Sequence, residues 1–285
     1  MQCRLLALDI DGTLLNSRSE LTARTATAVR QASAAGIKVC LVSGRRPRSM
    51  VRFSDQLGLD SPLVALNGGA ITTPDTLQAL HTITLDRRRV EPIMRAWRNA
   101  GLTTFAYRGT THPPDIYYDL DPSIPQSQEY IQFEGENITK VDSLLESTDW
   151  NPLRLSINDS EEQTCYARSL AEPFLDAQHI RPILSSFYDG SWFYELFPAQ
   201  ATKANGLRFL SEYFGIRPEE MIAVGDHIND LDMIEFAGLG VAMGNAQAAA
   251  KEVADLVIGH HDADGLAVFV EDYLLDEAGR GRRIV

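Results

Sequence analysis

An α/β fold, a doubly wound parallel sheet with an α+β segment inserted into it, is what this sequence predicts. Two observations predict the sheet. Several short runs are apolar without interruption, as strands covered on both faces must be. Each run ends in a polar or glycine-rich turn, and most are joined by helix-like segments. A third observation predicts the insertion: between about Asp86 and Gly190 this pattern stops.

In chain order, Leu5 to Leu8 is the first strand-like run and leads into Asp9-Ile10-Asp11-Gly12-Thr13. A helix-like stretch from Leu21 to Ala35 stops at Gly36, where a residue without Cβ can take a left-handed cap. The second run, Val39 to Val42, ends at Ser43-Gly44, and the third, Leu63 to Leu66, ends at Asn67-Gly68-Gly69. The insertion begins with helix-like Arg87 to Asn99, continues through a turn-rich aromatic stretch from Arg108 to Pro125, and has a second helix from Glu161 to Leu175. Beyond it, a helix from Leu207 to Phe214 stops at Gly215, and the run Met221 to Val224 ends at Gly225-Asp226. A helix from Asp230 to Ala237 stops at Gly238, and the last run, Gly240 to Met243, ends at Gly244-Asn245. The expected division is 1–85 with 191–285 for the sheet unit and 86–190 for the inserted unit. The stretch Gly279 to Arg283 reads as a frayed tail.

With 285 residues, 44% hydrophobic and 23% charged, the chain has the composition of a globular protein of one large or two modest domains. A net charge of −13 argues against a nucleic-acid partner or an anionic membrane surface, both of which need basic faces. Cys3, Cys40 and Cys165 are odd in number and unpatterned, so they read as buried free thiols of a cytoplasmic protein. No apolar stretch reaches membrane-spanning length, and Asp9 and Asp11 interrupt any secretion signal at the N-terminus. Nothing in the sequence specifies an oligomeric state.

The chemistry concentrates at the strand ends. If the extended geometry persists past Leu8, Asp9 and Asp11 point the same way. Two such carboxylates call for a cation between them or a retained proton. An EF-hand loop is excluded, because its sixth position must be glycine and here it is Leu14. In open parallel sheets ligands bind beyond the carboxyl ends of the strands, which gathers Asp9, Asp11, Ser43, Asn67 and Asp226 along one edge. In Gly225-Asp226-His227-Ile228-Asn229-Asp230, helical winding would put Asp226, Asn229 and Asp230 on one face. Together with Asp9 and Asp11 this is a hard-oxygen set suited to Mg²⁺. Lys203 precedes a helix-like segment, where a cation opposes the helix dipole unless it holds an anion. The Ser43-Gly44-Arg45 turn could hold phosphate through a hydroxyl and backbone amides. Nucleotide folds fit poorly: there is no phosphate-binding loop ending in Gly-Lys-Ser/Thr, and Gly238 to Gly244 has one residue too many for a dinucleotide fingerprint.

Taken together, four separated segments resemble the haloacid dehalogenase superfamily of phosphohydrolases. Asp9-Ile10-Asp11-Gly12-Thr13 is similar to its first motif, Ser43 to its second, Lys203 to its third and Gly225 to Asp230 to its fourth. Asn67-Gly68-Gly69 and Ala237 to Ala246 resemble the Cof-like subgroup, whose Rossmann-like core carries a type IIB cap. The chain departs from the subgroup around Lys203, where Pro198-Ala199-Gln200-Ala201-Thr202-Lys203-Ala204 lacks the usual flanking glycines. The resemblance implies that Asp9 attacks phosphorus to form an aspartyl-phosphate and that Asp11 acts as general acid and base. It implies Mg²⁺ on Asp9, the backbone carbonyl of Asp11, and Asp226, with phosphate held by Ser43, Gly44, Asn67, Lys203 and Asn229. Asp230 and Arg45 would support them. The implied function is hydrolysis of a small phosphomonoester, a sugar phosphate or related metabolite. A phosphosugar mutase would use the same residues, and the altered turn at Lys203 admits a catalytically silent phosphate-binding protein. The aromatic stretch from Tyr107 to Tyr118 is expected to face substrate or to fill the core of the cap.

Overall fold

In the computed structural model, which describes residues 3–111, 113–147, 149–186 and 190–275, the chain divides into two compact units. One comprises Met1–His81 and Ala201–Val285, the other Thr82–Gln200. The tail from Gly279 to Arg283 lies outside the described residues. In chain order the strands are β1 (Leu5–Leu8), β2 (Lys38–Leu41), β3 (Leu63–Ala65), β4 (Ala70–Thr72), β5 (Ala79–Thr82), β6 (Thr104–Tyr107), β7 (Ile116–Tyr118), β8 (Ile138–Lys140), β9 (Arg154–Asp159), β10 (Ile180–Ser186), β11 (Trp192–Pro198), β12 (Met221–Gly225), β13 (Leu239–Ala242) and β14 (Leu256–Val257). The helices are α1 (Ala23–Ala34), α2 (Pro47–Leu57), α3 (Arg87–Asn99), α4 (Pro125–Glu134), α5 (Leu144–Ser147), α6 (Glu161–Ala171), α7 (Lys203–Phe214), α8 (Leu231–Phe236), α9 (Ala248–Val253) and α10 (Gly265–Phe269).

The first unit is a parallel sheet in the order β14-β13-β12-β1-β2. Strand β1 shows why its sequence is apolar throughout: Leu6 and Leu8 join a core with α1 and α2, whereas Leu5 and Ala7 join a second core with α7 and α8. Successive side chains point to opposite faces, so a strand covered on both sides can expose none. From β1 the chain steps outward to β2, then returns to β12 on the other side of β1 and steps outward again to β13 and β14. The strand order therefore reverses between β1 and β12, and a crevice opens at their carboxyl ends.

Leu63 to Leu66, expected as a full member of this sheet, departs from it. Only Leu63–Ala65 is a strand, joined to the end of β2 by a bridge between Val42 and Val64 and by the Ser43 N–H donating to the Val64 carbonyl at 2.8 Å. Positive φ at Leu66 (51°), Asn67 (54°) and Gly68 (90°) then turns the chain back into an antiparallel pair with β4.

The second unit is a mixed sheet in the order β10-β11-β9-β6-β7-β8, antiparallel except between β7 and β8. The α+β character follows from β9, β11 and β6, whose Leu155, Ile157, Tyr194, Leu196 and Ala106 pack against Val90, Ile93 and Trp97 of α3 and Ala167 of α6. Strand β11 pairs with β9 and β10, so the unit runs ten residues past the expected boundary at 190/191. The expected helix from Glu161 to Leu175 ends at Ala171, where Glu172–Phe174 forms a tight turn around Pro173, which has no N–H to continue it. Within the aromatic stretch, Tyr117 packs on the unit's core beside Trp150, with ring centroids 5.3 Å apart. Tyr107 is buried beneath the Arg154 guanidinium, which lies 3.8 Å from its ring centroid. These two rings fill the unit's interior.

Cys3 and Cys40 are buried free thiols whose pKa values burial pushes up to about 12. Cys165, expected to be buried, is exposed on α6. Among the described residues no helix is long and apolar enough to cross a membrane.

Candidate active site

Asp9 and Asp226 leave the adjacent strands β1 and β12 at the point where the strand order reverses. The Asp9 N–H donates to the Val224 carbonyl at 3.1 Å, so the ladder carries Asp9 one residue beyond β1 into the crevice. Its side chain is 7% exposed, far below what an unpartnered charge tolerates.

The partner is Lys203. Thr202 caps α7 by accepting the Asn205 N–H at 3.2 Å, which fixes Lys203 as the first helical residue. Its fully buried ammonium donates to Asp9 Oδ1 at 2.6 Å and to Asp230 Oδ1 at 2.5 Å. The altered residues around Lys203 have thus not carried it away from the strand ends. Asp230 Oδ2 accepts the N–H groups of Asp226 and His227 at 2.9 and 2.8 Å, closing the turn that leads into α8. With donors on both oxygens, Asp230 braces Lys203 and the Asp226 turn. A Cβ on Gly225 would lie 2.5 Å from the Asp230 side chain, so glycine there lets the brace form.

Asp226 is held differently. Thr13 Oγ1 donates to Asp226 Oδ1 at 3.0 Å, and the other oxygen faces Gly12, whose φ is 81°. A Cβ on Gly12 would sit 2.3 Å from Asp226 Oδ2. Gly12→Ala should therefore cost roughly 1–3 kcal/mol of the first unit's stability, from the left-handed backbone and the displaced carboxylate together. Urea unfolding followed by tryptophan-independent far-UV ellipticity would measure it.

The electrostatics mark this as a site. One ligand oxygen each from Asp9, Asp226 and Asp230 lies within 4.8 Å of the others, around a single ammonium. Burial pushes the Asp9 carboxyl well above its usual range; Lys203 opposes this, while Asp230 and Asp226 add to it. Burial and the neighbouring Asp230 push Asp226 up to about 7, against the lowering effect of the Thr13 hydroxyl. Burial alone would depress the Lys203 pKa, but Asp230 and Asp9 more than offset it and the net shift is upward. Three carboxylates around one ammonium leave negative charge uncompensated. The donor set, all carboxylate oxygen, fits a hard divalent cation, and Asp9 and Asp226 are the residues able to hold it.

The remaining expected residues form two further groups. Asp11 does not share the cluster: Arg45 clasps its carboxylate with two hydrogen bonds, of 2.7 and 2.6 Å, and the Asp11 side chain is 54% exposed. The chain leaves the strand at Ile10, coiling through Ile10–Leu14 with Asp11 extended (φ −82°, ψ 118°) and Gly12 left-handed (φ 81°, ψ −2°), and Asp9 and Asp11 have separate partners. Ser43 is buried at the end of β2, with its Oγ accepting the Arg45 N–H at 3.2 Å. Its carbonyl accepts the Asn67 N–H at 3.0 Å, and Asn67 Oδ1 accepts from the Asn229 side chain at 2.9 Å. Gly44 lies against Asn67, where a Cβ would stand 3.2 Å from Oδ1. Three contributors lay beyond sequence reasoning: the Thr13 hydroxyl on Asp226, Asn245, whose amide donates to the Gly12 carbonyl at 2.7 Å, and Asp232, which accepts the Ala204 N–H at 3.1 Å at the start of α7. Thr13 and Asn245 stand inside quoted motifs, but motif membership does not name a hydrogen-bond partner.

Comparisons with known proteins identify the family and agree with the fold. A family model described as haloacid dehalogenase-like hydrolase matches residues 6–270. The chain is similar to 5-amino-6-(5-phospho-D-ribitylamino)uracil phosphatase YitU of Bacillus subtilis, at 30% identity over 94% of this chain and 97% of that protein. It is also similar to pyridoxal phosphate phosphatase YbhA of Escherichia coli, at 28% identity over 96% of this chain and 100% of that protein. Among solved structures, a haloacid dehalogenase-like hydrolase from Bacteroides thetaiotaomicron superposes with a TM-score of 0.80 at 28% identity, covering 95% of this chain and 99% of that one. The resemblance drawn from four separated segments is borne out, and the chain belongs to the haloacid dehalogenase-like hydrolases as a phosphoric monoester hydrolase.

Proposed function

We propose that this chain is a Mg²⁺-dependent phosphatase that hydrolyses a small phosphomonoester, a sugar phosphate or related metabolite, through a phosphorylated Asp9. The observation that carries this reading is the buried Asp9 carboxylate, held by Lys203 at 2.6 Å, with Asp226 beside it at the strand-order reversal. An Asp oxygen aimed into such a crevice is a nucleophile that needs its own charge and the substrate's offset. Bound Mg²⁺, held by Asp9, the Asp11 carbonyl and Asp226, would supply that neutralisation.

The chain's own groups account for the rest. Asp9 attacks phosphorus, the bond from phosphorus to the ester oxygen breaks, and Asp11 gives its proton to the leaving oxygen. Asp11 then takes a proton from water, whose oxygen attacks phosphorus, and phosphate leaves with Asp9 restored. Lys203 stays charged throughout, since its pKa is raised, and at an effective dielectric of ~20 a unit charge pair ~4 Å apart is worth roughly 4 kcal/mol. Ser43, Asn229 and the Gly44 amide are the groups assigned to the phosphate oxygens. The Arg45 guanidinium that clasps the Asp11 carboxylate would have to part from it before Asp11 could carry the proton. The relatives' named substrates share a phosphomonoester on a small polar metabolite, which is the substrate class assigned here.

Activity and stability test this together. Hydrolysis of an aryl phosphate should require Mg²⁺ and vanish on chelation. The cation should also stabilise the fold in a pH-dependent way. Asp226 has a folded pKa of about 7, above its unfolded value of 3.8, so the folded protein binds the extra proton. Without Mg²⁺, that contribution is fully present below the unfolded pKa and is lost as pH rises through about 7. Excess Mg²⁺ should therefore raise Tm by roughly 3–5 °C at pH 8 and by little at pH 5. Turnover in chelator, or a Mg²⁺ effect on Tm that is larger at pH 5, contradicts the assignment.

A further inference from the structure

Besides the acidic cluster, one other group of metal-binding side chains stands out among the described residues. His260, His261 and Asp262 each offer one ligand atom within 4.8 Å of the others. They lie in a loop of the first unit that Gly244 ties down by donating its N–H to the Gly259 carbonyl at 3.0 Å.

Contacts from outside the trio fix which atoms face inward. His261 Nδ1 lies 3.0 Å from the Leu15 carbonyl, which can only accept, so Nδ1 carries the proton and Nε2 the lone pair. That Nε2 is 3.7 Å from Asp262 Oδ1. Asp262 Oδ1 is itself oriented by the Ser17 N–H at 2.8 Å. His260 Nδ1 accepts the Asp262 N–H at 3.2 Å, which places an unprotonated nitrogen beside the trio, 3.8 Å from Asp262 Oδ2, with its lone pair engaged until a metal displaces that bond. A tetrahedral ion with metal–nitrogen bonds of about 2.0–2.1 Å sets its ligand atoms about 3.4 Å apart. The trio's ligand atoms, all within 4.8 Å of one another, must draw together to reach that spacing, and His260 must give up its capping bond. A backbone carbonyl on the far ring nitrogen is the arrangement that metal-bound imidazoles generally have. The side chains of His260 and Asp262 are 49% and 44% exposed, which leaves a fourth position to water.

We propose that His260, His261 and Asp262 form a second metal site, for one borderline transition ion of the Zn²⁺ class, distinct from the acidic cluster. Two imidazoles and a carboxylate favour such an ion over Mg²⁺, whereas three carboxylates do not discriminate against Mg²⁺. The site has a route to the acidic cluster's turn. The His261 N–H donates to Asn245 Oδ1 at 3.0 Å, and the Asn245 amide donates to the Gly12 carbonyl at 2.7 Å. An ion there would brace the Gly12 turn from behind. This inference stands apart from the proposed phosphatase mechanism and survives its failure.

The test is calorimetric titration of the full-length, untagged protein with Zn²⁺ in excess Mg²⁺, repeated with Co²⁺ and followed by visible absorption. Wild type should bind one equivalent of Zn²⁺, and its Co²⁺ form should show the intense bands of low-coordinate, nitrogen-bound cobalt. His260→Ala and His261→Ala should each weaken Zn²⁺ roughly tenfold or more, by more than any change of Tm in chelator accounts for. Asp226→Asn should leave Zn²⁺ binding in place. Should His261→Ala fail to fold, His260→Ala and the wild-type cobalt spectrum decide. Absence of Zn²⁺ binding, affinity indifferent to both histidines, loss of binding in Asp226→Asn, or a cobalt spectrum of oxygen ligands alone would overturn the proposal.

Discussion

Asp9→Asn should abolish turnover on every phosphomonoester while leaving the protein folded. An amide oxygen cannot form the acyl phosphate, so no slower version of the same route remains, in contrast to Asp11→Asn, which would keep the nucleophile and lose proton transfer. The fold should survive because Asp9 works against stability in the cation-free protein. Its carboxyl is raised by burial, with Asp230 and Asp226 adding to the repulsion. Replacing it with a neutral isostere relieves that repulsion, so Tm in chelator should hold or rise, an exchange of stability for function common at such sites. A wild-type rate in Asp9→Asn would remove the nucleophile from this account.

Lys203→Ala should cost both activity and stability, and the second loss separates a site lysine from a surface one. The ammonium is fully buried between Asp9 and Asp230, and its removal leaves buried carboxylates without their cation. Breaking a buried charge pair from one side costs about 3–5 kcal/mol. The penalty should shrink as pH falls through about 7, because Asp9 and Asp226, both shifted upward, can take protons in place of the lost cation. Activity should fall for all substrates alike, since the charge opposes phosphate whatever the leaving group. Urea midpoints at pH 5 and 8, set beside rates on two unrelated phosphomonoesters, would check this. A midpoint equal to wild type at pH 8 would mean that Lys203 does not neutralise the cluster.

Much of this site was legible because the sheet imposes it. Strands buried on both faces must be apolar, so Leu5 to Leu8 and Met221 to Val224 announced themselves, and the polar residue after each marked the edge of the sheet. The helix α2 carries the helical counterpart of that signal. Pro47 presets its first turn, and Met50, Phe53 and Leu57 fall on one face with polar residues between them. Pairing was harder to foresee. Nothing in the run Leu63 to Leu66 says that left-handed Leu66 and Asn67 will turn it into a hairpin, or in Trp192 to Pro198 that its partners are β9 and β10. Two carboxylates two positions apart suggested a shared site, yet the chain leaves the strand at Ile10, between them, and Arg45 takes Asp11. Sequence spacing names the residues at a site; backbone turns and distant donors decide which of them meet.

If Asp9 carries the phosphoryl group, its acyl phosphate can be trapped during turnover. Protein turning over an aryl phosphate with Mg²⁺ would be quenched in acid, reduced with borohydride, digested and sequenced by mass spectrometry. Reduction converts an acyl phosphate to the alcohol, so the account predicts homoserine at position 9, dependent on substrate and on Mg²⁺ and absent without either. Unmodified Asp9 under steady turnover, with the reduced residue at another position or nowhere, would contradict it.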